Sequence, residues 1–313
     1  MKKKIIITGG LGFIGSNLIQ KIKNKFNIIV IDNSNLKKNK INGVRFLKCD
    51  LTNFKKLKKL NLRNIDSIIH LAGQSSGPKS FIIPETDLKL NLISTINIVK
   101  FAKKINAKRI LFASTFTVYG ENKKEKLSEN VKCDPKSFYA ISKYASERYL
   151  MKLCEKNKIK WNILRFFNVY GPGQDLSRKD QGIVSIFLDL IRNKNRIIVN
   201  GSLKRFRDLI YIDDVVESLS LLMKSTKYPN QIYNVGTGKK TTIRKLILSL
   251  AKIYKKNNKL KISISNPTPG DILGCYADTK KINKHLKFKS KINLTQGLRL
   301  FTNWAEKNYY LKK

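Results

Sequence analysis

Residues 4–17 read KIIITGGLGFIGSN, an apolar run that meets three glycines at Gly9, Gly12 and Gly15 and continues into a segment with helical spacing. Glycine at these positions permits a tight turn, lets backbone N–H groups approach a pyrophosphate, and allows the helix to pack closely on the sheet. A glycine pattern alone is weak, so its surroundings decide. Here it follows the first predicted strand and opens a predicted helix, and Asp32 stands at the end of the second strand. A carboxylate there accepts hydrogen bonds from an adenosine ribose and repels a 2′-phosphate. NAD is therefore expected rather than NADP.

Working outward, β-rich runs recur at 5–8, 27–32, 44–50, 66–73, 108–115 and 161–171, separated by helical patterns that include 86–104 and 138–157. Nearly all-apolar strands alternating with helices predict an α/β, Rossmann-type doubly wound parallel sheet covered on both faces. Beyond GPGQ at 171–174 the elements shorten. The expected division is a cofactor domain over 1–168 and a smaller mixed α/β substrate-binding domain over 169–313. Segments near 208–238 are expected to return to the first domain.

Composition narrows the class. The 313 residues, 42% of them apolar, suffice for two packed domains. Cys49, Cys133, Cys154 and Cys275 show neither C-x-x-C pairing nor a His at ligand spacing, so no metal site or disulfide framework is expected and a reducing cytoplasm is the natural compartment. No run is long enough for a membrane span, and the glycines interrupt the only stretch resembling a signal peptide. Sixty-four Lys and Arg against 21 Asp and Glu give a net charge of +43. The lysines are spread among many Asn and Ile, residues that AT-rich codons favour, and no basic tract is interleaved with aromatic stacking platforms. A nucleic-acid partner is therefore not expected, although a basic field attracts anionic small substrates.

The stretch FYAISKYASERYL, 138–150, places Tyr139 and Lys143 one helical turn apart on one face. A phenol is a poor base at neutral pH unless a neighbouring cation stabilises its phenolate, and Lys143 supplies one. The strand before it ends in ASTFTVYG, which offers Ser114 or Thr115 as a hydroxyl partner for the reacting oxygen. His70, within apolar SIIHLAG, reads as a packed strand-end residue. Asp50, after the third strand, suits either an adenine contact or a turn.

Taken together these stretches resemble the extended short-chain dehydrogenase/reductase family, specifically its NAD-dependent nucleotide-sugar epimerases and dehydratases, closest to the UDP-glucose 4-epimerase-like members. The resemblance runs through TGGLGFIGSN (8–17), IDNSN (31–35), HLAGQSS (70–76), STFTVYG (114–120), YAISK (139–143), RFFNVYGPGQ (165–174), RFRDLIYIDDVV (205–216), YNVGTG (233–238) and PGDILGCYAD (269–278). It implies Thr115 as hydroxyl partner, Tyr139 as general acid/base, and Lys143 as the residue that binds ribose and lowers the phenol's pKa. It further implies cofactor contacts from Gly9, Gly12, Phe13, Ile14, Gly15, Asp32, Asn33, Asp50, Leu51, Leu71, Ala72 and Gly73, with Asn91 on the same side. The implied substrate contacts are Gln74, Ser75, Thr115, Asn168, Arg207, Asp271 and Cys275, with Arg205 as a possible second guanidinium.

The same resemblance separates the reaction types. Relatives that dehydrate a sugar carry an Asp-Glu pair directly after the active-site hydroxyl, whereas Phe116 and Thr117 follow Thr115 here. Elimination then lacks its acid and base, and a UDP-hexose or UDP-N-acetylhexosamine 4-epimerase is expected. Within the family the alternative is a deoxysugar 2-epimerase or a 4-ketoreductase; from another class it is a basic RNA-binding protein on the same fold. Thr268 stands where relatives often carry Arg, which bears on the nucleotide. Cys275 is small where plain-hexose relatives tend to be bulky, leaving room for an N-acetyl group, or it is a packing residue. The resemblance also implies a homodimer formed through the helices near 88–104 and 138–157.

Overall fold

A computed structural model describes residues 2–34, 41–256, 258–267 and 272–311. Asp271 and Thr268 lie outside the described residues. A seven-stranded sheet forms the centre, in the order Gln231–Val235, Lys160–Phe166, Arg109–Thr115, Ser67–His70, Lys4–Thr8, Asn27–Asp32, Val44–Lys48. Every neighbouring pair is parallel, with Ile7 opposite Val30, Thr8 opposite His70, and Thr115 opposite Phe166. The order reverses between the strands at 4–8 and 67–70, the crevice where doubly wound folds bind ligands. The glycine loop opens there.

Both faces of the sheet's centre are covered, which is why its inner strands are largely apolar. Ile5, Ile7, Val30, Leu111 and Leu164 pack into one core, and Ile6, Ile29, Ile68, Ile110 and Ile163 into the other. Alternate residues of the inner strands thus enter opposite layers, whereas the edge strand Val44–Lys48 leaves Arg45 and Lys48 exposed. Strand Gln231–Val235 extends this sheet from far along the chain, beside Lys160–Phe166. The remaining described strands pair two by two. Leu209–Tyr211 joins Asn168–Tyr170, Phe206–Arg207 joins Thr241–Thr242, Lys261–Ser265 joins Arg196–Asn200, and Tyr276–Ala277 joins Lys126–Leu127.

Two helices position the chemistry. Phe138–Lys156 starts at Ser137, whose hydroxyl accepts the Ala140 N–H at 3.2 Å, and it lies against the strand Arg109–Thr115. The helix expected over 86–104 is not continuous: Pro84–Leu88 passes through a π turn, Lys89–Ile93, before Ser94–Lys104 resumes. Hydroxyls explain the wider turn. Thr95 donates back to the Asn91 carbonyl at 2.6 Å and Ser94 to the Leu90 carbonyl at 2.5 Å, satisfying oxygens that a π turn leaves poorly served.

Candidate active site

The glycine loop is shaped by space as much as by dihedral. Gly9 has φ +68°, and a Cβ there would meet the Ala72 nitrogen at 2.7 Å; one on Gly15 would meet the Gly9 carbonyl oxygen at 2.3 Å. Leu71 and Ala72 therefore wall the loop directly, while Gly73 lies against Asn91. The helix Phe13–Ile22 starts at Gly12 without a side-chain cap, leaving its first N–H groups for an anion. Asp32 closes the rim, its two oxygens held by the N–H groups of Leu11 at 3.1 Å and Ser34 at 3.0 Å. Asp50 Oδ1 closes a turn, accepting from the Thr52 N–H and hydroxyl, both at 2.8 Å. Adjacent Leu51 is buried, with its carbonyl held by Asn97 at 2.9 Å.

At the end of strand Arg109–Thr115 the two candidate hydroxyls part company. Ser114 donates to the Glu147 carboxylate and is spent on structure. Thr115 hydrogen-bonds the Tyr139 phenol and lies 3.0 Å from the Thr117 hydroxyl. Of the pair, Thr115 is thus the one at the phenol. Tyr139 is half-buried, and loss of water pushes its pKa up to about 12, with the Thr115 hydrogen bond pulling down and the Asp87 charge pushing further up. Lys143, 6% exposed, is drawn down to about 8 by burial, against upward pulls from Glu147 and Asp87. Its Nζ sits 4.1 Å from the centre of the Phe112 ring and makes no hydrogen bond among the described residues.

Asp87 is the residue that sequence reasoning missed. Fully buried at the end of Pro84–Leu88, it accepts from Gln74 Nε2 at 2.7 Å, Asn91 Nδ2 at 3.1 Å and the Ser142 hydroxyl. The signal available was its i, i+4 spacing to Asn91 on one face of a helical stretch. Gln74 is fully committed by this cluster, its amide also meeting the Ser76 carbonyl and N–H. Ser75 is exposed and bonds Gln181. Asn91 Oδ1, by contrast, is buried with no partner, as is Asn168 Oδ1.

His70 is a packed residue, as its sequence context indicated. The Thr95 hydroxyl spends its own hydrogen on the Asn91 carbonyl, so His70 Nε2–H donates to it at 3.2 Å, and Thr8 donates to Nδ1 at 2.7 Å. Burial and the Lys143 charge drive its pKa down to about 3. On the opposite wall, Cys275 is buried with Phe116 and Phe167, whose rings stack at 5.3 Å. Burial raises its thiol to about 12. Arg207 is buried near the same wall, NH1 meeting the Phe206 carbonyl at 2.7 Å, and desolvation lowers it to about 10. Arg205 is half-buried and bonds the Asn200 and Ser202 carbonyls.

These groups fit a pyridine dinucleotide: an uncapped helix start behind glycine, a rim carboxylate, an ammonium lacking an acceptor, and an orphan amide oxygen, all along one crevice. Residues 5–236 match the model of the NAD dependent epimerase/dehydratase family. The chain belongs to that family. A Methanocaldococcus jannaschii protein provisionally named a UDP-glucose 4-epimerase is 32% identical over 308 residues, 97% of this chain and 99% of its own. The crystal structure of UDP-glucose 4-epimerase from Thermotoga maritima with UDP-glucose is 31% identical, with TM-score 0.89 over 97% of this chain and 99% of that one. UDP-N-acetylglucosamine 4-epimerase from Methanobrevibacter ruminantium M1, in complex with UDP-N-acetylmuramic acid, is 29% identical, with TM-score 0.89 over 98% and 99%. The fold is the Rossmann-type fold of these epimerases, the cofactor is NAD, and the protein is an NAD-dependent nucleotide-sugar epimerase.

Proposed function

We propose that this family member interconverts the C4 epimers of a UDP-hexose or UDP-N-acetylhexosamine, with Tyr139, Thr115 and Lys143 as its working side chains. One observation carries the choice of reaction. Next to the Thr115–Tyr139 hydrogen bond, where an eliminating enzyme needs an acid and a base, stand the Phe116 ring, stacked on Phe167, and the Thr117 hydroxyl. Such a wall holds a sugar but moves no proton at neighbouring carbons.

Bound along the glycine loop, NAD supplies a hydride acceptor that later returns the hydride. Tyr139 as phenolate takes the proton of the sugar 4-hydroxyl as that carbon loses hydride, leaving a 4-keto sugar and a neutral phenol. Thr115 holds the reacting oxygen in line. Hydride return to the opposite face of the turned sugar, with the proton handed back from Tyr139, gives the epimer. Lys143 holds the ribose hydroxyls; Gly9, Gly12, Phe13, Ile14 and Gly15 hold the pyrophosphate, and Asp32 and Asn33 the adenosine ribose. Asn168 and Arg207 grip the substrate diphosphate, where a guanidinium is apt. Cys275 leaves room for an N-acetyl group, and the M. ruminantium neighbour supports including such sugars.

We further place the enzyme in the cytoplasm as a homodimer. Cys49, Cys133, Cys154 and Cys275 are all free. Leu88, Leu90, Phe138, Ile141 and Tyr149 expose apolar surface on the two helical segments expected to pair, and Phe81 of the neighbouring helix Gly77–Ile82 adds to it, its ring 5.5 Å from that of Phe138. Sedimentation tests the assembly. The reaction is tested by incubating the protein and NAD with UDP-, dTDP-, GDP- and CDP-sugars and reading products by NMR. Interconversion of UDP-glucose with UDP-galactose, or of their N-acetyl forms, is expected. A dehydrated keto-deoxysugar, or net consumption of a reduced cofactor, contradicts the proposal.

A further inference from the structure

Asp87 is a buried carboxylate beneath the catalytic helix whose three hydrogen bonds come from neutral donors: the Gln74 amide, the Asn91 amide and the Ser142 hydroxyl. Ser142 lies between Tyr139 and Lys143, and its hydroxyl also sits 3.0 Å from the Tyr139 carbonyl. The carboxylate is thereby fastened to the turn that carries both working side chains. Its charge acts on each of them.

The other charges around the pair are accounted for. From strand Ser67–His70 comes His70, kept neutral by burial and by its two threonine partners. From the same helix, Glu147 is clasped by Arg165 of strand Lys160–Phe166 at 3.0 and 2.6 Å; its charge reaches Lys143 but is not among those that act on Tyr139. Strand Arg109–Thr115 presents the Phe112 ring and the Thr115 hydroxyl. What remains at the phenol is one cation, Lys143, and one anion, Asp87. Lysine alone therefore does not leave a net positive field for a phenolate.

We propose that Asp87 is a positioning residue for the Tyr139 proton: its buried carboxylate cancels the Lys143 charge, so the phenol ionises only when an oxidised nicotinamide adds a second positive charge. Once hydride transfer removes that charge, the same carboxylate holds the proton on Tyr139 until hydride returns. Proton release is thereby tied to the redox state of the cofactor, and a phenolate does not persist beside the keto sugar. The inference rests on the proposed role of Tyr139 but not on which sugar is turned over.

The test follows the Tyr139 ring by NMR of protein carrying ¹³C-labelled tyrosine, with no substrate present and Tyr139→Phe assigning the signal. In cofactor-free protein Asp87→Asn is expected to lower the phenol's titration midpoint by at least one pH unit, a tenfold change in proton affinity. Asp87→Ser serves as a second neutral replacement should the amide variant not fold. In the wild-type protein the midpoint should fall when NAD binds and rise again when NADH replaces it. In turnover, both limbs of the kcat/KM pH profile should move toward acid in Asp87→Asn, because Lys143 loses the same support; a merely structural defect lowers the plateau and leaves the limbs in place. A midpoint unmoved or raised in the neutral variants, or equal with NAD and NADH, overturns the proposal. Failure of the sugar panel with these shifts intact would instead overturn the reaction assigned above.

Discussion

Two charged sets stand one turn apart on the helix Phe138–Lys156, and they are built in opposite ways. Glu147 meets Arg165 through two parallel hydrogen bonds and takes a third from Ser114, and the guanidinium also lies 4.7 Å from the centre of the Tyr119 ring. Nearly every valence of the carboxylate is filled by the protein itself. Lys143, equally buried, has an aromatic face and no hydrogen-bond acceptor among the described residues, and Asp87 faces it across neutral donors. A buried charge left without partners destabilises a fold unless something else supplies them. The closed pair fixes the register of helix on sheet; the open set is finished by the cofactor.

Four changes sharpen that contrast. Tyr139→Phe removes the proton acceptor while keeping the ring, so turnover should fall by roughly 10³–10⁴-fold with the melting temperature retained; steady-state assay with thermal unfolding checks both. Arg165→Met strands Glu147 in the core and should cost about 3–5 kcal/mol, read from denaturant unfolding. Lys143→Met should do the reverse. Its midpoint near 8 lies below the ordinary 10.5, so its burial is harmless above pH 10.5, increasingly unfavourable as the pH falls through 8, and worth about 3 kcal/mol against folding at neutral pH. The cofactor-free variant should therefore be more stable at pH 7 and nearly inactive, whereas equal stability would mean that the ammonium is satisfied after all.

The smallest effect concerns His70. Its folded-state midpoint near 3 lies below the unfolded value of 6.5, so its contribution is complete above pH 6.5 and lost as the pH falls through 3. At pH 5 the loss is about 2 kcal/mol, and His70→Asn should flatten stability between pH 6.5 and 3. Chemical denaturation across that range checks it.

How much of this was legible beforehand follows from the range of each interaction. The strands and the glycine loop could be read because apolar runs and glycines act over a few residues, and the sheet places Gly9, Asp32, Thr115, Tyr139 and Lys143 along one crevice. The strand Lys261–Ser265 was hidden because a short half-exposed run draws its stability from a distant partner, here Arg196–Asn200. Asp87 was hidden for the same reason, since its significance lies in Gln74 and Ser142, far along the chain. The π turn at Lys89–Ile93 leaves no periodic signature, because helical spacing continues on both sides of it.

The claim beneath the whole account is that the only bonds to hydrogen broken at the sugar are the O–H that Tyr139 deprotonates and the C–H whose hydride departs and comes back. UDP-glucose carrying deuterium at carbon 4, turned over by the enzyme in ordinary water and read by NMR and mass spectrometry, tests this directly. The account predicts a 4-epimer that keeps its deuterium at carbon 4 and acquires no other label change. Washout of that deuterium into solvent, or a product lighter by one water, would contradict it.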